Sequence, residues 1–192
     1  MAKILVVCSI LASEMEKVAE ELGLNNSIRY IPAALHTDLD KLKGALISSL
    51  DELKCTGDTS ALIIGTKCHP EIRKIAENYG SRIIGGSNCI ELLLGEEKMQ
   101  ELDSECNTFY MTGGWLRLWR EIFCTGAMGW DPIDARINFG RYERILLLDT
   151  GLEEFSDEDI FEFFEFTQVP VETYPVTLDH FRKKIQEADY GI

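Results

Sequence analysis

The alternation of apolar, β-rich runs with amphipathic segments is the feature that most restricts the fold of this chain. Runs such as "KILVVCS", "SALIIGT" and "RILLLDTG" are typical of buried strands, and segments of helical periodicity follow them. Repeated β-α-β units favour a parallel sheet, because parallel strands need long crossover connections. The order predicts a Rossmann-like, doubly wound, mostly parallel sheet of about six or seven strands with helices on both faces.

Local signals place several helix ends. Ser13 with Glu16 three residues later predicts a capping box, and a second helix is expected from Thr37. Further helices are expected from about Asp131 and after Ser156. Pro70 suits a first turn, and another helix is expected to begin near Cys89. No low-complexity linker interrupts the pattern, so residues 1–192 are expected to form a single α/β domain, although two related halves joined near residues 105–130 are compatible with it.

Charge and composition exclude several classes of protein. The formal net charge is −14, with 33 acidic residues against 19 Lys and Arg, so nucleic acid and anionic membranes are poor partners. No apolar run approaches the ~20 residues of a membrane span. The N-terminal apolar run passes straight into "EMEKVAEEL", which argues against an export signal. We expect a cytoplasmic protein whose six cysteines stay reduced, and none of them forms a C-x-x-C pair.

Three of the six cysteines and two of the three histidines follow predicted strands. The carboxyl ends of parallel strands share one edge of a sheet, and ligands of open α/β folds bind beyond that edge. Side chains from separate strands are therefore expected to meet there. The candidates are Cys8, His36, Cys68, His69, Gly85, Gly86, Ser87, Asn88, Cys89, Gly114, Trp115, Asp149 and Thr150.

Cys8, Cys68 and Cys89, with His36 or His69, form a candidate metal site. Thiolate and imidazole are ligands of zinc, and three thiolates also suit a four-iron cluster with one open iron. Helix N-termini after the third and fourth strands are expected to lower the pKa of Cys68 and Cys89. Because His69 directly follows Cys68, only one of the two is expected to face the edge. The alternative is that these cysteines are small apolar residues of the core.

Two other kinds of site compete with the metal. The turn Gly85-Gly86-Ser87-Asn88 precedes a helix, so its backbone N–H groups suit a small anionic ligand, with Gly114 and Trp115 beside it. Alternatively, these glycines only supply a turn that needs positive φ. A third hypothesis is an enzyme with one reactive cysteine, Cys89, for which His36 is the available base.

Two features have less specific explanations. Glu14 lies in the first turn of the predicted first helix, where a carboxylate complements the helix dipole, or it hydrogen-bonds a ligating histidine. Phe161, Phe163, Phe164 and Phe166 alternate with glutamates and are expected to form one buried helix face.

Several segments in order resemble one protein family. They are "VCSILASEMEKV", "ALHTDLDKLKGAL", "IIGTKCHPEI", "NCIELLLG", "FYMTGGW" and "FGRYERILLLDTGL". The resemblance is to an uncharacterised prokaryotic domain-of-unknown-function family of methanogens and anaerobic bacteria, often encoded near corrinoid-dependent methylamine methyltransferases. Its pattern covers Cys8, Glu14, Leu35, His36, Cys68, Cys89, Gly95, Gly114, Trp115, Asp149 and Thr150. The family usually has His-Asp before the last of these cysteines, whereas this chain has Ser87-Asn88, which puts a catalytic role in doubt.

The sequence therefore predicts a cysteine-ligated metal protein, with an iron–sulfur cluster or zinc. The resemblance implies service in one-carbon or corrinoid methyl-transfer metabolism of an anaerobe, with a corrinoid as a further ligand and corrinoid or methyltransferase proteins as partners. The alternatives are a metal-free binding module for a small anion or corrinoid, and the reactive-cysteine enzyme. A homo-oligomer, with ligands from two subunits, is compatible with these expectations.

Overall fold

In the described part of the chain, seven parallel strands divide into two sheets. The computed structural model describes residues 3–190, apart from the side chains of residues 26 and 188–190. The first sheet has the order β2-β1-β3-β4 and the second the order β5-β6-β7. The strands are β1 (Lys3–Cys8), β2 (Ile28–Ile31), β3 (Thr59–Ile63), β4 (Arg82–Ile83), β5 (Thr108–Thr112), β6 (Arg144–Asp149) and β7 (Val171–Pro175).

Helices connect these strands. They are α1 (Ala12–Leu22), α2 (Leu39–Thr56), α3 (Ile72–Asn78), α4 (Cys89–Leu94), α5 (Glu96–Glu105), α6 (Gly113–Trp119), α7 (Pro132–Phe139), α8 (Asp157–Thr167) and α9 (Asp179–Tyr190). Short 3-10 turns occupy Ser9–Leu11, Asn25–Ser27 and Ala33–Thr37, and a π-helical segment, Arg120–Thr125, continues α6. Within residues 3–190, no helix combines the length and apolarity needed to cross a membrane.

The prediction of one Rossmann-like sheet is wrong in its strand pairing, whereas parallel β-α alternation is confirmed. The fourth strand is only two residues long and pairs through Ala61–Arg82 and Leu62–Ile83, so it offers little backbone for a further strand. Two consecutive helices, α4 and α5, then separate β4 from β5. The next strands pair with each other instead. Local periodicity indicates that strands are parallel, but it does not identify their neighbours.

The two sheets meet through the carboxyl ends of their strands. Thr112, the last residue of β5, donates from Oγ1 to the backbone oxygen of Ile10, 3.5 Å away. Gly114 lies so close to the same residue that an added Cβ would be 2.2 Å from its carbonyl oxygen. Thr150, just after β6, donates to Glu14 Oε1 at 3.1 Å. The ends of β1, β5 and β6 therefore share one region.

One continuous apolar core includes side chains from both sheets. Leu5, Val6 and Val7 of β1 are buried, as are Ile145 and Leu147 of β6. Each sequestered aliphatic side chain of this kind contributes about 1.5–3 kcal/mol relative to an exposed one. The central strands β1 and β6 consequently organise the interior.

Helix starts show where tertiary contacts override local signals. The helix starts predicted near Asp131 and after Ser156 are confirmed, and each of these residues caps its helix in a capping box. The predicted box at Ser13 is wrong, because α1 follows a 3-10 turn and the Ser13 hydroxyl donates to Glu153 at 2.6 Å. The second helix begins at Leu39, two residues after the predicted Thr37, and Asp38 is its N-cap. Pro70 lies before α3, whose N-cap is Glu71.

We expect Gly114→Ala to destabilise the fold, because the new methyl group would collide with the Ile10 carbonyl at the contact between the sheets. Overpacking of this kind costs about 1–3 kcal/mol. Gly44→Ala is the matched control, since Gly44 lies in α2 and an added Cβ meets nothing within 4 Å. The free energy of unfolding of this control is expected to rise by about 1 kcal/mol, because alanine has a higher helix propensity than glycine. Urea unfolding of both variants measures the difference, and equal stabilities would contradict the close contact.

Candidate functional site

Three thiols and one imidazole converge at the carboxyl edge of the first sheet. Cys8 ends β1, Cys68 follows β3 and Cys89 opens α4 after β4. His36, in the turn after β2, lies between two of them: its Nδ1 is 3.8 Å from the Cys8 sulfur and its Nε2 is 3.1 Å from the Cys68 sulfur. Cys89 interacts electrostatically with both Cys8 and Cys68. Four separate connections thus contribute to one cluster, here called the thiol cluster.

A close contact between two loops brings Cys68 and Cys89 together. The amides of Thr66 and Lys67 donate to the carbonyls of Gly86 and Ser87 at 3.2 and 2.9 Å. A Cβ on Gly65 would lie 2.4 Å from the Asn88 Cα, so only glycine allows this approach. Sequence reasoning missed Gly65. Its signal was a glycine directly after the buried run of β3.

His69, which directly follows Cys68, hydrogen-bonds the backbone of its own turn. His69 is buried, and its Nδ1 accepts a hydrogen bond from the Glu71 amide at 3.0 Å. This bond closes the turn that precedes α3. Of the two adjacent candidates, Cys68 is therefore the one that contacts His36.

The glycine turn predicted to bind an anion already holds a carboxylate of the chain. The Ser87 amide and hydroxyl donate to Glu91 Oε2 at 2.7 and 2.5 Å. Asn88 caps α4 by accepting from the Glu91 amide at 2.9 Å. A Cβ on Gly86 would lie 1.9 Å from the Glu91 carboxylate. The hydrogen bonds from Ser87 lower the pKa of Glu91, so in this structure the turn is filled by an internal anion.

Trp115 is the contribution of the second sheet to the thiol cluster. Thr112 caps α6 by accepting from the Trp115 amide at 3.3 Å. The indole meets the His36 ring edge-on, with centroids 6.1 Å apart, and stacks on Phe123 at 5.8 Å. Its side chain also hydrogen-bonds Cys89, which favours the thiolate. Trp115 therefore forms one wall of the cluster.

The expected lowering of cysteine pKa values is wrong. Burial raises the pKa of Cys8 and of Cys89 to about 12, and it also raises the pKa of Cys68. Burial lowers the pKa of His36. The cost of desolvating a thiolate exceeds the help from helix ends, because α4 is short and α3 begins only at Ile72. Near neutral pH the cluster therefore holds protonated thiols and a neutral imidazole.

The present geometry is that of hydrogen-bonded side chains. Among residues 3–190, no group of three or more His, Cys, Asp or Glu side chains is arranged to hold a metal ion. The imidazole explains this, since its two nitrogens face different sulfur atoms. The donor types are nevertheless those that zinc prefers.

Glu14 belongs to the contact between the sheets. It is 1% exposed, and its Oε1 accepts from Thr150. Burial is the main reason that its pKa is raised, and the neighbouring Glu153 acts in the same direction. The carboxyl group thus links α1 to the end of β6.

Glu14→Gln is expected to gain stability relative to wild type as pH rises. A carboxyl whose pKa is raised by folding stabilises the protein below its unfolded-state pKa, and this contribution is lost as pH rises through the folded-state pKa. The amide removes that loss and can still accept from Thr150. Urea unfolding at about pH 4 and about pH 7 tests this. Glu16→Gln, an exposed change in the same helix, is the control, and an identical pH response in both variants would refute the effect.

These features define an α/β protein with two parallel sheets and a partly buried cluster of thiols and imidazole at the end of the first. Residues 30–185 match the family described as "Protein of unknown function (DUF1638)", and the chain belongs to this family. The match contains His36, Cys68, Cys89 and Trp115, whereas Cys8 precedes it. No curated protein and no solved structure gives a significant match.

Proposed function

We propose that this chain binds a metal ion through Cys8, Cys68 and Cys89, with His36 as the fourth ligand. The observation that carries the proposal is the position of His36, whose ring touches thiols delivered by two different strands. The four donors are soft or borderline and come from four separate connections of the fold. Three of them, the thiols, also influence one another's ionisation.

Zinc fits this donor set. Three thiolates and one imidazole form one of the usual tetrahedral sets for structural zinc. In the present geometry the two nitrogens of His36 face the sulfur atoms of Cys8 and Cys68, so the imidazole would have to turn for one nitrogen to join the thiolates on a single ion. A cluster held by the three cysteines is the alternative identity of the centre.

The protein side chains would prepare the site in three ways. Burial of Cys8 and Cys89, 6% and 9% exposed, excludes water from the ligands. The neutral imidazole of His36 has a free lone pair, as ligation requires. The hydrogen bond from Trp115 stabilises the Cys89 thiolate. A bound zinc ion would supply Lewis acidity or activate a thiol. Since the thiols must lose protons to ligate, binding competes with protonation.

A role in one-carbon or corrinoid methyl-transfer metabolism rests on the family resemblance. Within this proposal the metal centre would serve a corrinoid or methyltransferase partner in the cytoplasm of an anaerobe. The family description supports membership and names no reaction.

Element-resolved metal analysis of anaerobically purified protein tests the proposal. We expect about one zinc per chain in the wild type. Cys68→Ala and Cys89→Ala are expected to lose most of it, because each removes a ligand. Cys55→Ala is the matched control, since Cys55 is an exposed thiol in α2. Iron with sulfide and a brown colour would identify the cluster instead. Equal metal content in all four proteins would contradict a site at these residues.

A reactive thiol is the second candidate, and one contact favours it. His36 Nε2 lies 3.1 Å from the Cys68 sulfur, which is within reach of a base–nucleophile pair. The nucleophile would then be Cys68 rather than the more deeply buried Cys89. The raised pKa of Cys68 opposes this function, because the thiolate is the reactive form.

Alkylation of metal-free protein with iodoacetamide separates the two functions. We expect Cys55 to react fastest because it is exposed, and Cys8 and Cys89 to react only on unfolding. Peptide mass spectrometry gives the rate for each thiol. If Cys68 reacts at least about tenfold faster than Cys55, and His36→Ala abolishes this, the reactive-thiol function is preferred.

A further inference from the structure

The segment from β6 to α9 carries a strongly one-sided charge. Residues 145–181 contain ten of the aspartates and glutamates and no lysine or arginine. Some of these carboxylates have partners elsewhere: Arg120 pairs with Glu162, and Arg144 pairs with Glu172. Others on α8, including Glu158 and Glu165, are exposed. This part of the surface therefore attracts cationic partners.

An apolar groove lies within this acidic surface. It has a volume of about 350 Å³ and is lined by Asp157, Ile160, Phe161, Phe164, Pro170 and Val171. The predicted buried face of α8 is confirmed for Phe163 and Phe166 but is wrong for Phe161, which is 55% exposed. The rings of Phe161 and Phe164 lie 6.2 Å apart. An aromatic side chain is thus left at the mouth of the groove.

Acidic residues flank this aromatic side chain on the same face of α8. Glu158 and Glu165 stand three residues before and four residues after Phe161, the spacings that bring helical side chains together. An aromatic side chain between two carboxylates is complementary to a partner segment in which an apolar side chain lies between lysines or arginines. A second copy of this chain is a poor occupant, because it carries the same net charge of −14.

We propose that the groove between α8 and β7 docks a basic amphipathic helix of a partner protein. An apolar residue of that helix packs against Phe161, and flanking lysines or arginines face Glu158 and Glu165. This is recognition of a helix in a groove. The charged pairs would orient the partner helix, and the apolar anchor would supply most of its binding affinity. The proposal does not depend on a metal at the thiol cluster.

The backbone of β7 disfavours the rival mode, addition of an extended strand. This strand lies at the edge of its sheet. The Ile145 amide donates to the Pro170 carbonyl and the Val176 amide donates to Asp149, so even-numbered residues direct their backbone groups toward β6. The alternate residues, Val171, Thr173 and Pro175, direct theirs outward. Pro175 has no N–H to donate, which shortens the available edge.

A synthetic amphipathic helix of leucine and lysine, labelled for fluorescence anisotropy, is the probe. We expect it to bind wild type, and Phe161→Ser to weaken binding about tenfold, or roughly 1.4 kcal/mol. Ile137→Ser is the matched control, because Ile137 is 72% exposed on α7, and it should bind as wild type does. Glu165→Gln should weaken binding at low salt and lose its effect at high salt.

Three outcomes would overturn the proposal. They are equal binding by Phe161→Ser and Ile137→Ser, equal binding of polylysine without leucine, and equal binding of a leucine–glutamate helix. Should Phe161→Ser fail to fold, as judged by circular dichroism, Phe161→Leu replaces it. In that variant a shift of the anisotropy midpoint supports the groove, and an unchanged midpoint refutes it.

Discussion

The contact between the carboxyl ends of the two sheets is the constraint on which the rest depends. Gly114 packs against the Ile10 carbonyl with no room for a side chain. This approach carries Trp115 to the thiol cluster and Thr150 to Glu14. The protein therefore joins two small parallel sheets where ligands of α/β folds usually bind, instead of extending one sheet.

Desolvation governs the chemistry of this junction. The thiols of Cys8 and Cys89 and the carboxyl of Glu14 are all buried, and burial raises the pKa of each. Neutral forms are stable there without a counter-ion. A metal ion would reverse this balance for the thiols, because its positive charge offsets the cost of burying thiolates. Such a cluster is more suited to binding a cation than to presenting a free nucleophile.

The thiol cluster and the most acidic segment of the chain belong to different sheets. The thiol cluster is built mainly by the first sheet and its connections, whereas the unbroken acidic segment of residues 145–181 belongs to the second. Phe161 stands within that segment at the surface. One part of the chain thus supplies a buried site with neutral side chains, and the other supplies an anionic surface. This division matches the two proposals, a metal at the thiol cluster and a basic helix at the groove beside α8.

Local patterns in the sequence determined the parallel β-α alternation and the helix starts near Asp131 and Ser156, because periodicity and capping act over a few residues. They also identified Cys8, His36, Cys68 and Cys89 as residues at strand ends, which a parallel sheet brings to one edge. Only the tertiary structure decided which strands pair, that Gly65 lets the loops of Cys68 and Cys89 approach each other, and that burial outweighs the helix ends in setting thiol pKa values. Those outcomes depend on contacts between distant segments, whose free energies of packing and desolvation have no signature in local sequence.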